Sequence, residues 1–402
     1  MKKVYLTVLG LGLLFNVSAA ENPTKQSKEE KAKAKEEVAK AKAEKELAVK
    51  PAQPEEEKPL TFSGYVDTYY FANLSGAQTN LGASGFERIF DQKANNFQVG
   101  LAQMKTTYTT GKVTGVIDLT FGNHGDLGNY GNTQSPLGAG IGTTGLAIKQ
   151  AYATWNFNDK VSLTAGQYGT NVGYEVIDAP VNFNYSLSNL FGNGPFYHTG
   201  VKLDVAATDK FGFMVGLVNG LDSKDDNNKA KGFQAQVSLT PVENWSVYLN
   251  YFGSDEGGND DKGKYQKNMH SWFDLTTSFQ VNDNFLVGLN AATGSNNVGK
   301  WGGAALYLNG NVSEKFSIGT RLEVFDNKEG GIYLVDANGD GVTATSLTFT
   351  GSYKVSDNLM FKPEYRFDSY KNAKGTYQIY DKDGGLTKKS QSTLGAALIF
   401  YF

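Results

Sequence analysis

The side chains that most often carry bond chemistry are scarce in this chain. There is no cysteine, and the three histidines, His124, His198 and His270, lie far apart. That excludes disulfide frameworks and thiolate chemistry and leaves too few imidazoles for a histidine metal cluster. One group has the residue types of a hydrolytic triad: His270, Ser271 and Asp274. It falls in an alternating segment, where adjacent side chains point to opposite faces, so His270 and Ser271 do not meet. Neither an enzyme nor a cofactor is expected. Asp336-Ala337-Asn338-Gly339-Asp340-Gly341 copies the first half of a calcium loop, D-x-N-x-D-G. Asp336, Asn338 and Asp340 are therefore a metal candidate, weakened because the twelfth position is Leu347 instead of Glu.

The remaining chemistry is electrostatic, and the elements that carry the charges decide what it does. The 402 residues include 38 Lys plus Arg, 41 Asp plus Glu and 47 Gly, for a net charge of −3. Such a balance gives no basic stripe for nucleic acid. Residues 1–20 have a basic start (Lys2, Lys3), an apolar run from Val4 to Phe15 and a small-residue site at Ser18-Ala19-Ala20. They read as a signal peptide cleaved after Ala20. Residues 21–60 hold Lys and Glu in half their positions and read as a charged periplasmic helix or linker, with a capping box at Ser27–Glu30. Pro51, Pro54 and Pro59 end any helix there.

From Thr61 the pattern changes to a period of two. Phe211, Phe213, Val215 and Leu217 alternate with Gly212, Met214 and Gly216, and Phe361, Tyr365 and Phe367 alternate with Lys362, Glu364, Arg366 and Asp368. Short turns such as Thr110-Gly111-Lys112 and Ser356-Asp357-Asn358 alternate with longer polar loops, approximately 75–95, 122–145, 170–196, 219–230, 254–269, 294–298, 327–344 and 370–390. Seven turns and eight loops predict about sixteen strands, with both ends on the short-turn side. A soluble sandwich would alternate as well. Aromatics near strand ends (Tyr69, Tyr70, Trp155, Phe157, Trp245, Tyr251, Trp272, Trp301) and polar rows carrying both signs of charge favour a membrane barrel. The fold expected over residues 61–402 is all-β: a transmembrane, antiparallel, up-and-down β-barrel behind a short charged leader.

With the apolar rows toward lipid, the inward charges are Asp67, Asp118, Lys202, Asp204, Asp274, Arg321, Glu323, Lys362, Glu364, Arg366 and Asp368. About sixteen strands leave a water-filled channel, and His198 also falls toward it. Acids outnumber bases in this set, which predicts a mild cation preference.

The chain ends on an alternating strand closing at Phe402, which resembles the assembly signal read by the outer-membrane insertion machinery. Ser63-Gly64-Tyr65-Val66-Asp67-Thr68-Tyr69-Tyr70, Gly166-Gln167-Tyr168-Gly169 and Pro195-Phe196-Tyr197-His198-Thr199-Gly200-Val201-Lys202 are similar to segments of the β-barrel porin-2 group, the OmpL-like porins. The resemblance covers about residues 61–402 and implies a passive porin for small hydrophilic solutes in a Gram-negative outer membrane, with trimers occurring among look-alikes. It also implies that the loop 170–196 folds inward as a constriction. There Glu175 and Asp178 are placed to face Arg321, Lys362 and Arg366, and Phe183, Tyr185, Leu190, Phe191 and Phe196 are too apolar for a free loop. The alternative reading is a structural barrel that anchors the envelope through residues 21–60.

Overall fold

The computed structural model describes residues 59–129, 147–226, 228–336 and 338–402. The expected signal peptide, the charged leader up to residue 58, most of the second long loop and Ala337 lie outside the described residues.

Sixteen strands close into one antiparallel barrel. They are β1 (Leu60–Asn73), β2 (Phe97–Thr110), β3 (Val113–Phe121), β4 (Ile148–Asn156), β5 (Val161–Gly169), β6 (Tyr197–Val205), β7 (Phe211–Val218), β8 (Gly232–Val242), β9 (Trp245–Asp255), β10 (Met269–Asn282), β11 (Phe285–Ser295), β12 (Lys300–Ser313), β13 (Phe316–Asp326), β14 (Val342–Ser356), β15 (Leu359–Asn372) and β16 (Ser390–Tyr401). Each pairs with its sequence neighbours, and β16 closes on β1 from Tyr65↔Tyr401 to Asn73↔Thr393. Closure leaves no unpaired edge, the condition for strands to cross a bilayer. Strand number, order and the alternation of turns and loops match the sequence expectation. Among the described residues, the long loops carry two short helices, α1 (Asn123–Gly128) and α2 (Asn189–Gly192), and two small hairpins.

The period of two sets the two surfaces. On β7 the large apolar residues Phe211, Phe213, Val215 and Leu217 are exposed, while Gly212, Met214, Gly216 and Val218 are buried. Trp155 packs on Phe157 at the outer rim, with ring centroids 4.4 Å apart, and Trp245 is likewise exposed. Three of the aromatics read as rim residues are not there. Trp272 and Trp301 point inward and are buried, as is Tyr69. Trp272 lies two positions from the inward Asp274, so strand parity already placed it inside.

Candidate functional site

The interior is crossed by L3, the loop 170–196 between β5 and β6. A segment leaving water must find partners for its backbone groups, and the inner wall supplies them. Going along L3, Gly173 N–H donates to Asp274 Oδ1 (3.0 Å), and the Tyr174 ring stacks on Tyr307 of β12 at 4.3 Å. Glu175 accepts from Arg321 Nη1 at 2.5 Å. Lys362 Nζ donates to the carbonyl of Ala179 (2.8 Å) and to that of Asn182. Glu364 accepts the N–H groups of Tyr185 (2.7 Å) and Ser186 (3.1 Å). Arg366 Nη1 donates to the carbonyl of Leu187 (2.7 Å). Glu323 accepts from the N–H groups of Asn189 (3.0 Å) and Leu190 (2.8 Å). These charge-assisted bonds are the stronger class. Tyr185 and Leu190 are buried beneath them, which accounts for the apolar content of the loop.

The inward assignment made from parity is thereby qualified. Arg321, Glu323, Lys362, Glu364, Arg366 and Asp368 are on the inner wall but buried, acting as the clamp of a loop instead of lining water. Asp274 is likewise covered, its oxygens held by Gly173, Asn250 and Asn290. Asp67 is a backbone staple: its Oδ1 accepts from Leu101 N–H at 2.5 Å where the β1–β2 register shifts. Position 100 must be glycine there, because a Cβ would lie 2.2 Å from Asp67 Oδ1. Of the two loop acids, Glu175 meets Arg321, one of the facing cations that the resemblance implied. Asp178 does not; it pairs with Lys149 of β4 at 2.5 Å and accepts from Gln103 at 3.0 Å.

Water reaches the wall between β2 and β6. Side-chain exposure is 14% for Lys149, 23% for Asp178, 20% for Lys202 and 25% for Asp204, against 0% for Arg321. Lys149 lies 3.7 Å from Asp118, Lys105 pairs in register with Asp118, and Lys202 bonds Asp204 at 3.0 Å. The adjoining wall is scooped out, since Gly166, Gly200, Gly212 and Gly216 occupy inward positions of β5–β7. Gly166 has φ +131°, and a Cβ would press to 2.3 Å from the Ala151 carbonyl. The open side is therefore a trough with three cations (Lys105, Lys149, Lys202) facing three acids (Asp118, Asp178, Asp204). Lys149 and Lys105 escaped the sequence reading. Lys149 is the extra residue of a β-bulge, opposite the step from Asp118 to Leu119, and a bulge turns its side chain to the other face.

The remaining candidates have structural roles. Asp336 Oδ1 accepts from the N–H groups of Asn338 (2.8 Å) and Asp340 (2.9 Å), its Oδ2 accepts from Asn372 (3.0 Å), and Lys374 pairs with Asp340. A cation would find these oxygens taken and a lysine in place, so the calcium reading is replaced by a backbone turn. Hydrogen bonding in that turn holds the Asp336 carboxyl below its usual pKa. His198 Nε2 meets Thr170 Oγ1 at 3.0 Å and its ring packs on Phe252, away from water. His270 contacts Asn268 (3.0 Å), while Ser271 meets Ser295 (3.0 Å).

His124 of α1 is buried in the loop cap between Tyr69 (5.2 Å, stacked), Phe90 and Tyr185. Burial pushes its pKa down to about 4, only partly opposed by Asp91. An opened cap binds the proton more readily than the closed one, so closure is fully favoured above about pH 6.5 and weakens as pH falls toward about 4. At 1.36 kcal/mol per pKa unit the loss reaches about 3 kcal/mol. Hydrogen-exchange protection of residues 122–128 is expected to drop between pH 7 and pH 4.5, and His124→Phe should flatten that dependence. Equal protection at both pH values would refute the effect.

Residues 59–402 match the family described as Putative beta-barrel porin-2, OmpL-like. No curated protein matches the chain in sequence. Among solved structures, the outer membrane channel DcaP of Acinetobacter baumannii is similar with a TM-score of 0.57 at 13% identity, over 85% of this chain and 97% of that one. The anion-selective porin from Comamonas acidovorans gives 0.52 at 11%, over 85% and 99%. The trimer form of Vibrio cholerae OmpT gives 0.53 at 12%, over 85% and 99%. At such identities the structures speak for the fold. The family match spans the whole sixteen-strand cylinder, its inward loop and its charged trough, and the chain belongs to the OmpL-like β-barrel porin-2 family as an outer-membrane porin channel.

Proposed function

We propose that this porin passes small hydrophilic solutes by passive diffusion through the trough beside L3. The observation that carries the reading is the asymmetry of the interior. One sector is filled by L3, and the other keeps partly hydrated charges over a glycine-lined wall. Sugar-driven swelling of proteoliposomes tests it. Swelling that slows with sugar size supports diffusion, and no swelling supports the alternative of an envelope anchor acting through residues 21–60.

The acidic excess behind the expected cation preference consists mostly of residues under the loop, and the trough itself carries three charges of each sign. Wild-type selectivity should therefore be weak, whichever ion leads. Reversal potentials in a salt gradient are expected to move toward anions for Asp178→Asn and toward cations for Lys149→Gln. Two shifts of the same sign, or none, would remove these residues from the ion path.

The chain is read as a non-enzyme of the Gram-negative outer membrane, exported by a peptide cleaved after Ala20 and recognised by the assembly machinery through Phe402. That side chain is exposed, and its backbone closes the barrel on Gly64 at 3.0 Å. A homotrimer is proposed on two grounds. One is the trimer form of a structural neighbour. The other is a shallow depression of about 450 Å³ on the outer face of β2–β5, floored by Gly115, Ala151, Ala153 and Ala165. Native mass spectrometry of detergent-extracted protein should show three copies. A lone monomer would end the proposal.

A further inference from the structure

L1, the loop 74–96 between β1 and β2, is also folded into the barrel mouth. Arg88 is 2% exposed. Its Nε and Nη2 donate to Asp368 Oδ2 of β15 at 2.8 and 2.5 Å, its Nη2 lies 3.3 Å from Thr393 Oγ1 of β16, and its Nη1 binds Asp91 within the loop. Two further bonds flank this latch. Tyr370 donates its hydroxyl to the carbonyl of Glu87 (3.2 Å), and Gln391 donates to the carbonyl of Asn80 (2.9 Å). The inner surface of L1 rests on L3. Phe90 lies 5.7 Å from Phe191 and 5.5 Å from Phe196, and a Cβ added to Gly192 would stand 2.5 Å from Ile89 Cγ1.

We propose that L1 is a second constriction element: a lid over L3, latched shut by Arg88 on Asp368, that limits passage independently of L3. The inference rests on the porin reading and extends it to a residue and a loop which that reading does not use. Arg88 is the residue through which the wall holds L1 by charge. Its removal does not orphan the wall, because Asp368 keeps Arg366 Nε (2.8 Å) and Ser346 Oγ (2.7 Å). Asp91, the other partner, moves into water with the released loop. Loss of the latch therefore frees L1 while L3 keeps its separate clamp on Arg321, Glu323, Lys362 and Glu364. The flanking bonds from Tyr370 and Gln391, the bonds of Ala83 and Ser84 to Gln378 and Tyr377, and the apolar contact with L3 remain as weaker holds, so the lid should fluctuate instead of staying open.

The test uses the full-length protein in planar bilayers. Arg88→Ala should raise mean single-channel conductance severalfold and add open-channel noise. The chain has no cysteine, so a lock can be engineered cleanly. Ile89→Cys with Gly192→Cys places the two Cβ atoms about 3.0 Å apart, near the disulfide range of about 3.5–4.5 Å. Oxidation of Arg88→Ala carrying this pair should return conductance to the wild-type level, and reduction should restore the high level. The same pair carried by Arg88→Gln covers the case in which Arg88→Ala does not assemble, since its reduced form should show large openings that oxidation abolishes. Conductance indifferent to both Arg88→Ala and the redox state of the pair overturns the lid. A wild-type protein without any conductance overturns the porin reading itself, a result distinct from equal conductance in every variant.

Discussion

Deletion of residues 178–192 is expected to raise single-channel conductance severalfold while leaving the barrel assembled. The expectation follows from the route of L3. Within one loop the chain touches β10 through Gly173, β12 through Tyr174, β13 through Glu175, β4 through Asp178 and β15 through Tyr185. A segment that visits so many strands lies across the cross-section, and what remains open is the trough by β2–β6. Removing it restores most of the lumen of a sixteen-strand cylinder, which is wide enough for an aqueous channel.

The wall tolerates that removal for a reason of charge. The clamp exposed by the deletion comprises Arg321, Lys362 and Arg366 against Glu323 and Glu364, with Asp368 beside Arg366 and still paired with Arg88. On β15 the signs alternate at positions two apart on one face, so the freed groups pair with one another through water. Charges of both signs are uncovered together, and Asp368 and Glu175 stay paired with Arg366 and Arg321, so selectivity should change far less than conductance. Glu175 is retained, so Arg321 keeps its partner. Bilayer recordings decide: conductance equal to wild type would mean that L3 does not restrict flow.

Strand parity made the cylinder legible in advance, because a residue pattern of two maps directly onto lipid and lumen faces. It also placed Arg321, Glu323, Lys362 and Glu364 on the correct face. Parity carries no information about what lies above a side chain, and so these residues read as water-facing when they serve a loop. Lys149 was lost for a different reason: one extra residue in β4 shifts the register locally, and nothing in Ile148-Lys149-Gln150 marks the bulge. The inward course of L3 was suggested by resemblance and by its apolar residues. L1 offered a parallel signal in Phe86-Glu87-Arg88-Ile89-Phe90, a run of apolar and charged residues in a segment otherwise rich in glycine and asparagine. Its partner Asp368 lies 280 positions away, a contact that no local pattern specifies.

Arg321→Met should be the most disruptive single substitution in the clamp, weakening loop docking by about 3–5 kcal/mol. Arg321 is fully buried, and its Nη1 serves both Glu175 Oε1 (2.5 Å) and the Ser186 carbonyl (2.7 Å). Methionine fills a similar volume but gives neither bond, leaving the Glu175 carboxylate buried with the Ser188 N–H (2.7 Å) as its remaining hydrogen-bond donor. An uncompensated buried charge is relieved most readily by moving into water, and that carries L3 off the wall. Glu175→Gln in the same chain removes the stranded charge while its amide oxygen can still accept the Ser188 N–H, so the double variant should recover most of the docking energy although neither Arg321 bond returns. Protease cleavage within 176–190 and single-channel conductance both report docking, while heat-modifiable migration in detergent gels reports the barrel. The expected order is wild type tightest, the double variant close behind, Glu175→Gln intermediate and Arg321→Met loosest, all with the barrel intact. If Arg321→Met and the double variant release the loop equally, the stranded Glu175 charge is not what opens it; if neither releases the loop, the pair holds nothing, and the carboxylates Glu323 and Glu364 carry L3 by themselves.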